Sequence, residues 1–120
     1  MFRSFEDLEV WKRSCSLAVR IYDELKSKTD FSLRDQMQRA AISIPSNIAE
    51  GYERGGRDFC RFLRISRGSA AELRTQTYIA GKISMISLSS MNEIVRELKE
   101  LSKMLFSLEK SRKAEKQGDS

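Results

Sequence analysis

The chain has 120 residues and a formal net charge of +5, with no histidine, one proline and two cysteines. This length predicts a single domain, and the 40% hydrophobic and 32% charged composition excludes a disordered or fibrous protein. The absence of histidine excludes imidazole acid–base chemistry, histidine-containing triads and histidine-ligated metal sites. We therefore expect no enzyme, no cofactor, no bound metal ion and no small-molecule substrate.

The sequence carries no signal for export or membrane insertion. Its start, Met-Phe-Arg-Ser-Phe-Glu-Asp, has no apolar core of a signal peptide, and no apolar run approaches the roughly 18–20 residues of a membrane span. We expect a cytoplasmic protein with no membrane partner. Cys15 and Cys60 are then reduced thiols, although a disulfide between them stays geometrically open.

The first predicted helix runs from about residue 5 to residue 27. Ser4 and Asp7 form a capping-box pattern at its start, with Asp in place of the usual Glu. Its apolar side chains recur at three- and four-residue steps, which places them on one face that we expect to be buried. They are Leu8, Trp11, Cys15, Ala18, Tyr22 and Leu25.

The second predicted helix follows Ser32, which forms an N-cap pattern with Asp35. Pro45 lies inside this segment, where it removes one backbone hydrogen bond and clashes with the preceding turn. The segment is therefore either two helices or one kinked helix. Ile44 and Ile48 keep the phase of the earlier apolar residues, which favours one kinked helix.

The paired glycines at 55 and 56 end the second helix and free the backbone for a tight turn. A third helix is predicted over about 57–84. A capping box at Ser90 and Glu93 starts the fourth helix, whose leucines recur at heptad-like spacing to about residue 110. Four amphipathic helices joined by short links predict an all-α protein, an antiparallel up-down-up-down four-helix bundle over residues 1–110. Residues 111–120 are polar and aperiodic, and we expect a disordered tail.

The positive charge is concentrated in the middle of the chain. Residues 31–84 hold nine basic and five acidic side chains, whereas the segments on either side are nearly neutral. A planar guanidinium suits bidentate contacts to phosphate, so the arginines of this region are candidate nucleic-acid contacts. An equally open interpretation is that an exposed helix face carries charge simply because it faces water. The candidates are Arg54, Arg57, Arg61, Arg64, Arg67 and Arg74.

Polar side chains flank the apolar stripes of the second and third helices. Half-buried polar groups need partners, so we expect the two sets to meet each other or a neighbouring subunit. Glu50 and Glu72 could also form a catalytic carboxylate pair, but the chain offers no acid–base partner, and packing is the better explanation. The sets are Gln36, Ser43, Asn47 and Glu50 on one helix, and Ser69, Glu72 and Gln76 on the other.

The same stretches carry a family resemblance. Residues 35–51, with the string Ser-Ile-Pro-Ser-Asn-Ile-Ala-Glu-Gly, and residues 59–73 resemble two blocks of the four-helix bundle proteins encoded in 23S rRNA intervening sequences. Residues 5–11 resemble that family's first block, so the resemblance spans about residues 5–110. The chain departs from the family pattern at Ser66, where alanine is usual, and in the serine-rich link at 87–90.

The resemblance implies a ring-shaped homopentamer. It also implies kinship with the accessory variability determinant proteins of diversity-generating retroelements, basic pentamers that bind nucleic acid and associate with a reverse transcriptase. The matching pattern positions imply structural or assembly roles, with Gly51 and Gly68 allowing close helix contacts. These positions are Asn47, Glu50, Gly51, Gly68, Ser69 and Glu72.

Charge and resemblance together predict a non-enzymatic, homopentameric protein that binds structured RNA or RNA–DNA mainly through phosphate contacts. A reverse transcriptase is a possible partner under this hypothesis. The alternative is a homo-oligomeric scaffold for protein interactions with no physiological nucleic-acid ligand. A basic chain binds nucleic acid unspecifically at low salt, so the salt dependence of binding has to separate the two.

Overall fold

The computed structural model of the chain describes residues 3–118 and forms an elongated bundle of 52 × 20 × 19 Å. The predicted all-α up-down-up-down bundle is confirmed, and the described part of the chain contains no strand. Each helix packs on its two neighbours, so α1 lies diagonally across from α3 and α2 from α4. The helices are α1 (Glu9–Leu25), α2 (Phe31–Arg54), α3 (Gly56–Lys82) and α4 (Leu88–Gly118), preceded by a short 3-10 turn, Phe5–Asp7.

The first predicted helix is two pieces rather than one. The Ser4–Asp7 capping box is present, with the Ser4 hydroxyl accepting from the Glu6 amide at 3.1 Å, but it caps only the 3-10 turn. The backbone then extends at Leu8, which turns this side chain into the core, where it is 2% exposed. α1 begins afterwards at Glu9.

The buried face of α1 is rotated from the predicted one. Tyr22, expected in the core, is 41% exposed, and Cys15 is only partly buried. Ser14 takes a core position because its hydroxyl donates to the Trp11 carbonyl at 3.0 Å, which satisfies the polar group within the helix. The observed buried residues of α1 are Val10, Ser14, Leu17, Ala18, Ile21 and Leu25.

One helix runs through Pro45, as the phase of Ile44 and Ile48 predicted. Its N-cap is Asp30 rather than Ser32, because the Asp30 carboxylate accepts from the Leu33 amide at 3.1 Å. The helix therefore begins at Phe31.

A single residue, Gly55, links α2 to α3, and the two helices approach each other closely next to this link. Gly55 adopts φ +71°, a conformation that favours glycine, and its amide donates to the Gly51 carbonyl at 3.0 Å. A β-carbon on Gly51 would stand 2.5 Å from the Phe62 β-carbon, so this glycine allows the contact, as predicted. Gly68 makes no such contact within the chain, since nothing lies within 4 Å of where its β-carbon would stand.

α4 begins earlier and ends later than predicted. The Ser87 hydroxyl accepts from the Ser90 amide at 3.0 Å, so Ser87 does the capping, while the Ser90 hydroxyl donates to Glu24 of α1 at 2.7 Å. The backbone of residues 111–118 is helical where a disordered tail was expected. This segment lacks an apolar stripe but is rich in helix-favouring residues. Residues 119–120 lie outside the described part of the chain.

A pair of glycine-to-alanine variants tests the α2–α3 contact. Gly51→Ala should lower the free energy of unfolding by about 1–3 kcal/mol, because overpacking against Phe62 outweighs the gain in helix propensity. Gly68→Ala is the matched control and should not lower it, since within the chain the methyl group meets open space. Urea denaturation of both variants measures the difference, and equal shifts would contradict the close approach at Gly51.

Candidate nucleic-acid interface

Five of the six candidate arginines lie at one end of the bundle, where α2 ends and α3 begins. Arg54, Arg57, Arg61 and Arg64 are exposed, and Arg67 is half-buried. Arg74 lies seven residues beyond Arg67 on α3, roughly 10 Å farther along the helix. The sequence-predicted set is therefore a cluster of five with one outlier.

Two of these arginines cover the ring of Phe62. The Arg61 guanidinium lies 4.7 Å from the ring centroid and that of Arg54 lies 5.1 Å from it. Both also lie 3.6 Å from the Asp58 carboxylate, and Arg54 lies 3.9 Å from Glu50. Because these ion pairs are about half exposed, they contribute little to stability, and the ring and the carboxylate chiefly orient the guanidinium groups.

Glu109 of α4 is the feature of this end that sequence reasoning missed. Its side chain is 7% exposed, and its Oε2 accepts from Arg64 at 2.9 Å and lies 3.2 Å from the Lys113 ammonium group. Arg67 approaches its Oε1 at 3.8 Å. The sequence did offer one signal for a buried acid here: Glu109 follows Leu105 by four residues and so lies on the apolar face of α4.

The environment of Glu109 shifts its titration. Burial alone would raise the pKa of this carboxyl, but the hydrogen bonds and charges of Lys113 and Arg64 outweigh burial and lower the pKa below its ordinary value. The ionised form is therefore the stable one at neutral pH. Cys60, one of two free thiols, lies beside this cluster with its Sγ 3.8 Å from the Glu109 carbonyl oxygen.

The C-terminal part of α4 adds three cations to the arginine cluster. Lys110 and Arg67 lie 5.6 and 4.9 Å from the centroid of the Phe106 ring, and Arg112 lies 5.2 Å from that of Phe59. Antiparallel packing of α3 and α4 brings the α4 cations next to the arginine cluster. The sequence prediction did not include Arg112 and Lys113 in this helix, because it ended α4 near residue 110. We call the whole set the basic end: Arg54, Arg57, Arg61, Arg64, Arg67, Lys110, Arg112 and Lys113.

The basic end keeps a net positive charge after its own acids are counted. Within α2, α3 and α4, its eight cations are accompanied by four carboxylates, those of Glu50, Glu53, Asp58 and Glu109. Arg57 has no carboxylate within 4 Å in the described part of the chain. The surface can therefore attract an anion and offer it several guanidinium groups.

The predicted polar stripes of α2 and α3 do meet. The Ser43 and Ser69 hydroxyls are 2.8 Å apart, and the Asn47 amide nitrogen donates to the Ser43 carbonyl at 2.8 Å. Gln36, by contrast, is exposed, and among the described side chains its amide reaches the Ser32 hydroxyl, at 3.5 Å. Gln76 is 93% buried, and its Oε1 has no hydrogen-bond partner within the described residues.

The alignment of α2 and α3 keeps Glu50 and Glu72, the two glutamates considered as a catalytic pair, far apart. Glu50 is adjacent to Gly51, which packs against Phe62, so it lies level with the first half of α3. Glu72 is ten residues beyond Phe62, roughly 15 Å farther along the helix. Both are exposed, and among the described residues no group of three or more Cys, Asp or Glu side chains is placed to hold a metal ion.

Residues 6–107 match the family model of the 23S rRNA-intervening sequence protein. The chain belongs to this family. A solved structure from Bacteroides thetaiotaomicron, described as a protein with unknown function from the S23 ribosomal protein family, is similar to it with a TM-score of 0.78 and 26% sequence identity. The match covers 84% of this chain and 95% of that one. No curated protein matches the chain.

Membership in the 23S rRNA-intervening sequence protein family agrees with the observed fold. Across residues 3–118, none of the helices contains an apolar stretch that could span a lipid bilayer.

The Glu109 cluster predicts how stability depends on pH. Because the folded-state pKa is lowered, Glu109 stabilises the fold above its unfolded pKa near 4.5, and this contribution is lost as pH falls through the lower folded value. We expect Glu109→Gln to cost about 1–3 kcal/mol at neutral pH, and the difference from wild type should shrink toward about pH 3.

Urea denaturation at several pH values measures this difference. Glu100→Gln is the control, since it removes an exposed carboxylate from the α1 side of the same helix. A difference between wild type and Glu109→Gln that stays constant between about pH 7 and pH 3 would contradict the assignment.

Proposed function

We propose that this chain is a non-enzymatic, homo-oligomeric protein that binds structured RNA or RNA–DNA through phosphate contacts of the basic end. The observation that carries the proposal is the concentration of eight cations, six of them arginine, on one end of the bundle. Phosphate neutralisation by such groups supplies most of the affinity of unspecific nucleic-acid binding. An A-form duplex offers phosphates and 2′-hydroxyls rather than readable base edges in its deep groove.

Arginine geometry supports phosphate as the ligand. The guanidinium groups of Arg54, Arg61 and Arg67 lie over aromatic rings, which restricts their orientation, and these side chains are 51%, 52% and 34% exposed. Arg57 is exposed beside them. Several donors held on one surface match the regular spacing of a phosphate backbone better than isolated flexible charges do.

The outer side of the α2/α3 pair supports self-association. Ile65 and Ile79 are 40% and 46% exposed there, on the α3 side of the polar seam of Ser43 and Ser69. A second copy of the chain would cover these apolar side chains. The number of five subunits and a reverse transcriptase partner come from the family resemblance, whereas the cytoplasmic location comes from the sequence pattern of the N-terminus and the cysteines, and all three are part of the proposal.

A double variant tests the nucleic-acid contact. Arg57→Gln with Arg61→Gln should weaken binding of an RNA hairpin on the order of tenfold in about 150 mM salt, because two phosphate contacts are lost. The slope of log Kd against log salt concentration should fall by about 1.5–2. Fluorescence anisotropy over a salt series measures both quantities.

Lys26→Gln with Lys82→Gln is the matched control, since it removes the same charge from exposed positions at the opposite end. It should change affinity by less than about threefold, as the lysines lie more than a Debye length from the basic end. Equal losses in the two double variants would show that net charge alone, and no particular surface, attracts RNA.

Solution mass tests the assembly. Light scattering should give a mass near five chains for the wild type, and Ile65→Gln with Ile79→Gln should lower that mass, because polar amides replace the apolar contact. Val19→Gln with Leu88→Gln is the control, as these apolar residues are more exposed, at 64% and 61%, and lie elsewhere on the bundle. A monomeric wild type would contradict the assembly.

Exposed apolar residues at the end opposite the basic end favour a second candidate, a homo-oligomeric protein-interaction scaffold. Phe31, Ile83 and Leu88 are 58%, 54% and 61% exposed there. An oligomer whose RNA affinity is unaffected by the arginine changes would favour this scaffold over nucleic-acid binding.

A further inference from the structure

We propose that Glu109 is a positioning residue for phosphate binding, a buried carboxylate that holds Arg64, Arg67 and Lys113 as one anion-facing group. The inference rests on the proposed nucleic-acid function and adds to it a residue of negative charge. In this role, the Glu109 carboxylate brings together cations from two different helices, α3 and α4.

Glu109 itself is buried, whereas the three cations that contact it are partly exposed to solvent. The carboxylate is 7% exposed, whereas Arg64, Arg67 and Lys113 are 47%, 34% and 55% exposed. An arginine has five N–H donors and a lysine three, so one bond to Glu109 leaves further donors on each partly exposed group. The cluster as a whole keeps a net charge of about +2.

Arg67 is held from a second direction. Its guanidinium lies 4.9 Å from the centroid of the Phe106 ring while it approaches Glu109 at 3.8 Å. A ring contact and an ion pair together restrict a side chain that would otherwise sample many rotamers. The entropy of ordering it is then lost on folding rather than on binding phosphate.

Glu109 also fixes the distance between cations of α3 and α4. Arg64 comes from α3 and Lys113 from α4, and a single carboxylate oxygen, Oε2, lies 2.9 and 3.2 Å from their nitrogens. Without that oxygen the two like charges would repel each other across the helix pair. The carboxylate therefore lets the cations stay close enough to share one phosphate or two successive ones.

A simple charge model predicts the opposite effect of removing this acid. Glu109→Gln raises the net charge from +5 to +6, and added positive charge alone strengthens attraction to RNA. If Glu109 positions the cations, the same change weakens binding despite the added charge. The sign of the effect separates the two accounts.

The test compares Glu109→Gln with Glu100→Gln, which makes the same charge change at an exposed position of the same helix. Binding of an RNA hairpin is measured by fluorescence anisotropy in about 150 mM salt, after thermal unfolding shows that both variants are folded. We expect Glu109→Gln to bind about three- to tenfold more weakly than wild type, and Glu100→Gln to bind as tightly or more tightly.

Glu109→Asp keeps the charge and shortens the side chain by one methylene, so it provides a milder variant if Glu109→Gln fails to fold. It should also weaken binding, because the retracted carboxylate cannot reach all three cations. Binding of Glu109→Gln or Glu109→Asp at least as tight as wild type would overturn the inference alone. A wild type that does not bind RNA would overturn the proposed function, and the inference with it.

Discussion

Gly51 lets the backbone of α2 lie directly against the Phe62 side chain of α3, because a β-carbon there would stand 2.5 Å from that of Phe62. This close approach lies next to the one-residue link at Gly55 and sets which residues of α2 and α3 lie opposite each other. The alignment places Ser43 opposite Ser69, and the buried Ser66 hydroxyl donates to the Ile44 carbonyl at 2.9 Å. A larger residue at position 51 would push the helices apart and disrupt these bonds.

The charge distribution follows from the same alignment and from antiparallel packing. Because α3 starts where α2 stops and α4 returns to the same end, arginines from two helices and cations from the C-terminal part of α4 share one surface. Half-exposed pairs such as Arg61–Asp58 contribute little to stability at this surface. Glu109 differs because it is buried, so its partners are held in place rather than merely attracted.

Periodicity predicted the four helices, since an amphipathic repeat is a local property of the sequence, whereas the capping patterns at Ser32 and Ser90 did not mark the observed N-caps. Periodicity failed where tertiary contacts decide. Ser14 enters the core because its own helix satisfies its hydroxyl, while the apparently better Tyr22 is exposed. Glu109 could not be assigned before the α3–α4 packing was known, because its three partners are distant in sequence or lie beyond the predicted end of the helix. Gly68 was grouped with Gly51 by the family resemblance, yet within the chain it makes no such contact.

Photo-crosslinking of an RNA hairpin to the wild-type protein, followed by mass spectrometry of the linked peptides, tests the central claim most directly. It locates the RNA without changing any side chain or charge. The account predicts linked peptides from residues 54–67 and 106–113, which form the basic end. Linked peptides confined to α1, or to the turn between α3 and α4 at the opposite end, would contradict it.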